Sequence, residues 1–258
     1  MSNEGAGIAH SQRMEEMDPI ILAIETATRA GSVAVALGEK ILASTAGDPS
    51  SSHSTDLIEN IDRVLREAGV ELSAVDVFAA AVGPGSFTGL RIGLATVKSL
   101  AVTLNKKCVG VSTLAAIAQA SGESERTVAM LPAGRGELFS QMFSVRAGDI
   151  TPLDKAVHIS PKLLLSKYGS YARLTWAGEG AHAQLETLRA EAERRHIQFA
   201  SATMADKNGW LVAPQNERIA EAVARLSLRE YDAGNLIEPD NLAANYVRPS
   251  DAEIKAHA

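Results

Sequence analysis

A chain of 258 residues that is 46% hydrophobic and 22% charged has the composition of an ordinary globular protein, which excludes a disordered or fibrous one. A net charge of -6 gives the whole molecule no electrostatic reason to bind a polyanion by itself, so a nucleic-acid role would run through a partner. The single cysteine, Cys108, excludes an internal disulfide and fits a reducing cytoplasm, and no apolar run approaches the roughly 20 residues of a membrane span.

Residues 1–18 carry Glu4, Glu15 and Glu16 and no apolar block, so they are not a secretory signal; they read as a disordered leader, with Met1, Met14 and Met17 as alternative starts. Ile20 to Thr26 and Ser32 to Leu37 read as a β-hairpin joined by Thr28-Arg29-Ala30-Gly31, and Ile41 to Ser44 as a third strand. Leu57, Ile58, Ile61, Val64, Leu65 and Ala68 then recur at helical spacing, with Ser54 or Thr55 to cap the start and Gly69 at the stop. Next come an apolar strand from Val77, a glycine-dense loop, a helix from Leu90 to Leu104, a strand over Val109 to Val111, and a helix from Thr113 capped by Ser112. Cys108, between Lys106-Lys107 and an apolar stretch, reads as a buried inert thiol.

Beyond a short polar connection near Ala118 to Glu125, Thr127 to Leu131 and Leu138 to Val145 suggest a second hairpin. Helices are expected over Pro161 to Lys167, Ala183 to Arg195 and Pro214 to Leu228, with a strand over Leu174 to Ala177. The expected domains are an N-terminal lobe over 19–118 and a C-terminal lobe with its tail over 119–258.

The most informative segment is Gly83-Pro84-Gly85-Ser86-Phe87-Thr88-Gly89-Leu90-Arg91, where a buried strand opens into a helix. It is not a Walker A loop, because Leu90 stands where the lysine would follow Gly89. It is not a Rossmann fingerprint, because Thr88 occupies the third glycine site. It is not a nucleophile elbow, because Pro84 and Thr88 flank Ser86 where glycines are needed. With Ile20 to Thr28, Ser51 to Leu57 and Gly110-Val111-Ser112-Thr113-Leu114, this loop resembles the TsaB (YeaZ) family of bacteria, in the glycoprotease-like M22 group of the actin/hexokinase/Hsp70 superfamily. Supporting strings are Gly134-Arg135-Gly136-Glu137-Leu138-Phe139, Trp176-Ala177-Gly178-Glu179-Gly180 and Asn245-Tyr246-Val247-Arg248.

The resemblance implies an α/β fold of two actin-like lobes, each a mixed, typically five-stranded sheet with flanking helices. It also implies a non-catalytic subunit that binds TsaD and, with the ATPase TsaE, supports transfer of a threonylcarbamoyl group to adenosine in tRNAs reading A-starting codons, touching tRNA only indirectly. A homodimer is implied for the protein alone. An ATP-binding enzyme or peptidase of the superfamily, or a homodimeric binding module, are the alternatives. Glu25, Thr26, Gly31 and Ser32 occupy the stretch where superfamily ATPases hold Mg²⁺ and phosphates, but the second hairpin offers Pro132, Ala133 and Gly134 in place of an acidic residue. ATP or ADP is therefore expected only at a junction with TsaD. The His-x3-His pair of TsaD would fall on Thr113 and Ile117, which cannot replace it, and the six histidines show no ligand spacing. No catalytic or metal residue is assigned. His53, in a serine-rich helix start, reads as capping or solvation.

The resemblance places helices 54–68 and 89–104 in a helical-bundle contact with the partner. Their apolar residues cover more than one core-facing stripe. The expected interface is Leu57, Ile58, Ile61, Val64, Gly89, Gly93, Val97 and Leu100, with Gly89 and Gly93 leaving a shallow strip for an approaching helix.

Overall fold

The computed structural model describes residues 18–50, 53–201 and 209–247, with side chains from Asp56 in the first long helix. Residues 1–17 of the proposed leader, with His10, and likewise Arg248 and His257 lie outside the described residues, and the side chains of His53, Ser54 and Thr55 outside the described side chains.

The first sheet is five-stranded in the order β3-β2-β1-β4-β5, from β1 (Ile20–Glu25), β2 (Ser32–Leu37), β3 (Lys40–Ala46), β4 (Val77–Gly83) and β5 (Lys107–Ser112). The β1, β2 and β3 strands form an antiparallel meander, whereas β1, β4 and β5 run parallel. Parallel strands need helical crossovers, and α1 (His53–Ala68) and α2 (Phe87–Leu104) supply them on one face of the sheet. Their apolar sides close over Leu22, Ile24, Val33, Val35, Phe78 and Ala80. The α3 helix (Thr113–Ala120) follows β5, and the Ser112 hydroxyl caps it by accepting from the Ala115 N–H.

The second sheet takes the order β11-β12-β10-β6-β7-β8, with β9 also paired to β7. Its strands are β6 (Ser124–Gly134), β7 (Glu137–Arg146), β8 (Asp149–Pro152), β9 (Val157–Ile159), β10 (Leu174–Ala177), β11 (Phe199–Ser201) and β12 (Trp210–Val212). The α4 (Pro161–Tyr168), α5 (Glu179–Ala183) and α6 (Leu185–Arg194) helices accompany it. Trp176, Trp210, Tyr168 and Leu188 form the core on that side. The last helix, α7 (Ile219–Asp232), packs with α3 in a cluster that joins the inner faces of both sheets, through Ala220, Val223, Ala129 and Phe143.

Several expectations shift. The helix expected from Pro214 starts at Ile219, because the Pro214-to-Arg218 stretch makes an irregular turn in which the Asn216 side chain accepts from the Arg218 N–H. The helix expected over Ala183 to Arg195 breaks at Gln184 into α5 and α6. The second sheet carries short edge strands that periodicity could not register, since β9, β11 and β12 are three residues each. The α2 helix, 18 residues long, is apolar enough by length and composition to cross a bilayer, contrary to the sequence expectation. Its apolar character follows from packing on the sheet with one side while lining a groove with another.

Chain order and spatial grouping part company after α7. Ile237 pairs with Cys108 at the edge of the first sheet, and the Asn245 N–H reaches the Val82 carbonyl at 2.7 Å.

Candidate functional site: the outer face of α1 and α2

The glycine loop is tied to the first hairpin and to the returning tail. The Ser86 N–H donates to the Ala27 carbonyl at 2.8 Å, and the Ser86 hydroxyl caps α2 by accepting from the Gly89 N–H at 3.2 Å. The loop thus sets the angle at which α2 leaves the sheet. Behind it, Thr26 donates its hydroxyl to the Gly89 carbonyl at 2.8 Å. A Cβ at Gly89 would lie 1.9 Å from the Thr26 carbonyl oxygen, and one at Gly93 2.2 Å from the Thr26 hydroxyl. These glycines exist so that the helix can touch the end of β1. The expectation that they form a strip for a partner helix is corrected, because that side of α2 faces the lobe's own sheet.

The same correction applies to most of the expected interface. Val64 and Val97 are fully buried and Leu57 and Ile61 nearly so, all in the core of the first lobe. Two expected residues remain at the surface: Ile58, 61% exposed, and the half-buried Leu100. With Ile61, Leu65, Val70 and Leu72 they line a groove of about 470 Å³ between the helices, rimmed by Asp62, Arg66 and Glu71. Along the outside of α2 the exposed residues are Phe87, Thr88, Arg91, Ala95, Ser99, Val102 and Thr103, with Val102 62% exposed. Apart from Phe87 and Arg91 this face has small side chains, and Leu100 of the same helix lines the groove.

At the start of α2 the structure adds a residue whose position the sequence did not indicate. Tyr246, from the returning tail, lies with its ring 5.4 Å from that of Phe87, while the Arg91 guanidinium sits 3.8 Å over the same ring. Phe87 and Arg91 belong to the family loop. Tyr246 belongs to the quoted terminal string, but only the fold brings the two together across 159 residues of chain, and no periodic signal spans that separation.

Glu25, Thr26, Gly31 and Ser32 do come together, in the cleft between the lobes, but their polar groups are spent on the protein. The Glu25 carboxylate is fully buried and accepts from the Ala27 and Thr28 N–H groups at 2.6 and 2.7 Å and from the Thr28 hydroxyl at 2.7 Å. Burial raises its pKa above the ordinary carboxyl value, against the lowering effect of these hydrogen bonds, and Glu179 across the cleft adds to the rise. The Gly31 N–H donates to the Thr28 hydroxyl, and the Ser32 hydroxyl accepts from the Ala220 N–H at 2.9 Å. The cavity that Thr26, Gly31 and Ser32 help to line measures about 10 Å³, room for one water. In this structure these groups hold the hairpin and dock α7. Glu179, at the start of α5, accepts from the Arg29 N–H at 2.9 Å and so bridges the lobes.

Thr113 and Ile117, where the resemblance put a metal-binding pair in TsaD, are buried at 0% and 3% exposure in the inter-lobe core. Among the described residues no three His, Cys, Asp or Glu side chains are grouped as metal ligands. His158 pairs with Glu137 at 2.9 Å, and His182 bonds the Ala213 carbonyl at 2.9 Å.

Against known proteins, residues 47–252 match the family model described as TsaD, tRNA N6-adenosine threonylcarbamoyltransferase. The tRNA threonylcarbamoyladenosine biosynthesis protein TsaB of Haemophilus influenzae is 36% identical over 127 residues, 47% of this chain and 53% of the relative. The Escherichia coli protein of the same description is 34% identical over 122 residues, 46% and 52% of the two chains. The chain thus spans about half the length of the curated relatives it matches. The solved structure of YeaZ from Pseudomonas aeruginosa superposes with a TM-score of 0.70 at 26% identity, over 88% of this chain and 99% of the other. The two sheets with shared helices define a two-sheet α/β protein with the fold of YeaZ. The chain belongs to the threonylcarbamoyltransferase-type family, on its TsaB/YeaZ branch.

Proposed function

We propose that the protein is the non-catalytic scaffold and activator subunit of a complex that transfers a threonylcarbamoyl group to adenosine in tRNAs reading A-starting codons. It acts by binding a TsaD-type subunit through the outer face of α1 and α2. The observation that carries this reading is the groove with an apolar floor at Ile58, Leu65 and Leu100 and a charged rim of Asp62, Arg66 and Glu71, beside the exposed face of α2, in a chain of this family. An exposed apolar groove costs free energy in water unless a partner covers it, and each fully buried aliphatic side chain returns about 1.5–3 kcal/mol. The Phe87, Arg91 and Tyr246 stack frames the end of that surface.

In this reading the actin-like units are residues 19–118 and 119–258, and the protein works in the cytoplasm. Alone, it closes the same face against a second copy. In the complex it is joined by TsaE, the -6 charge leaves tRNA to the other subunits, and any ATP or ADP is held at the subunit junction. The test is co-elution of this chain with the TsaD-type protein of the same cell, together with an assay of threonylcarbamoyl transfer to tRNA. Failure of the two to associate, or transfer that proceeds equally without this chain, would overturn the proposal.

A further inference from the structure

A second concave surface lies at the opposite end of the second sheet, away from the helical face, where β6 and β10 begin and β7 ends. It encloses about 620 Å³, within the range of small-molecule sites. Its floor includes Val145, Leu174 and Leu211, with the buried Trp210 ring behind them. Its rim holds Arg126, Arg146 and Arg173, each with a guanidinium nitrogen 3.8 Å from the Glu125 carboxylate.

Three cations around one carboxylate are an unbalanced arrangement. The distance of 3.8 Å is too long for a hydrogen bond, and among the described residues none of the three guanidiniums donates one. Arg126 lies 5.0 Å over the Tyr171 ring, which fixes its stem without using its N–H groups. The other carboxylate at the rim, Glu123, is engaged by the Ala147 N–H at 3.0 Å. In a molecule with a net charge of -6, this concentrates uncommitted planar donors beside an apolar floor. Guanidinium forks match the paired oxygens of phosphate and carboxylate.

We propose that this cavity binds a small organic anion, with its phosphate or carboxylate between Arg126, Arg146 and Arg173 and its apolar body on the Leu174 and Leu211 floor. The concavity and the apolar floor favour a small molecule over a nucleic-acid backbone, which would need a convex or grooved track of charge and no floor. The site is separate from the α1 and α2 face, so its occupancy does not depend on the proposed partner.

The probes are hexyl phosphate, hexanoate and inorganic phosphate, titrated calorimetrically against the full chain, with a single-stranded RNA oligonucleotide in parallel. Saturable one-to-one binding of hexyl phosphate or hexanoate, tighter than that of inorganic phosphate, is expected, and whichever binds tighter identifies the head group. The double variant Arg146→Ala, Arg173→Ala should weaken it at least about tenfold, the loss of one charge-assisted hydrogen-bonded contact. Because both side chains are more than half exposed, melting of the double variant should stay at the wild-type value. Glu125→Gln, which removes the competing carboxylate, should bind the probe at least as tightly as wild type. Absence of saturable binding by either hexyl probe, equal binding by the arginine variant, or binding of the RNA alone would each overturn the proposal.

Discussion

Replacing Gly89 by alanine tests whether the family loop serves the lobe's interior or its outer surface. In the structure an added Cβ would stand 1.9 Å from the Thr26 carbonyl oxygen and 3.1 Å from its carbon. Ordinary contact requires the helix to retreat by roughly 1–1.5 Å, and the obstacle is backbone next to β1, which cannot rotate aside. Alanine gains about 1 kcal/mol of helix propensity over glycine. Against that, overpacking costs about 1–3 kcal/mol, and the retreat breaks the 2.8 Å bond from the Thr26 hydroxyl to the Gly89 carbonyl, worth about 1 kcal/mol. Because the clash is with main chain, the upper part of the overpacking range applies, and the net loss is about 2–3 kcal/mol. For a chain of this size that lowers the melting temperature by about 4–12 °C. Thermal melts followed by circular dichroism should show this drop, while Ser99→Ala, on the exposed side of the same helix, should melt within about 0.5 kcal/mol of wild type. A Gly89→Ala protein as stable as wild type would refute the close approach and return Gly89 to the outer surface.

Ile58→Glu, at a 61% exposed position, should leave the melting temperature unchanged but weaken association with the TsaD-type partner more than about tenfold, whereas Val97→Glu should fail to fold because it buries an unpaired charge. Size-exclusion chromatography with melting curves separates these, and a folded Ile58→Glu chain of wild-type affinity would remove the groove from the interface. Glu25, with its pKa raised by burial, favours the folded state when protonated, so its contribution falls as pH rises above the ordinary value of 4.5. Melts across about pH 4.5–8 should show wild type losing stability relative to Glu25→Gln as pH increases, and parallel profiles would contradict the assignment. The Cys108 thiol, pushed up by burial to about 11 and fully inaccessible, should resist alkylation at about pH 8 until denaturant is added.

The local pattern of this chain was sufficient for its local structure. Ser112 capped α3 as expected, Leu174 to Ala177 formed the strand expected there, and the alternation of strands and crossover helices in the first lobe followed from apolar period and glycine stops. The glycine loop was legible as a family mark because its residues are adjacent. What it is for was not. An apolar helix position has the same identity whether it faces a sheet or a partner, so Val97 and Ile58 read alike in sequence and separate only when α2 and α1 are laid on β1 and β4. The glycine pair likewise needed Thr26 in place to show which side it opened. Groups joined across long stretches of chain, such as Tyr246 on Phe87, Glu179 on Arg29, and Arg146 and Arg173 on Glu125, arise from closure of the fold and leave no periodic trace in the sequence.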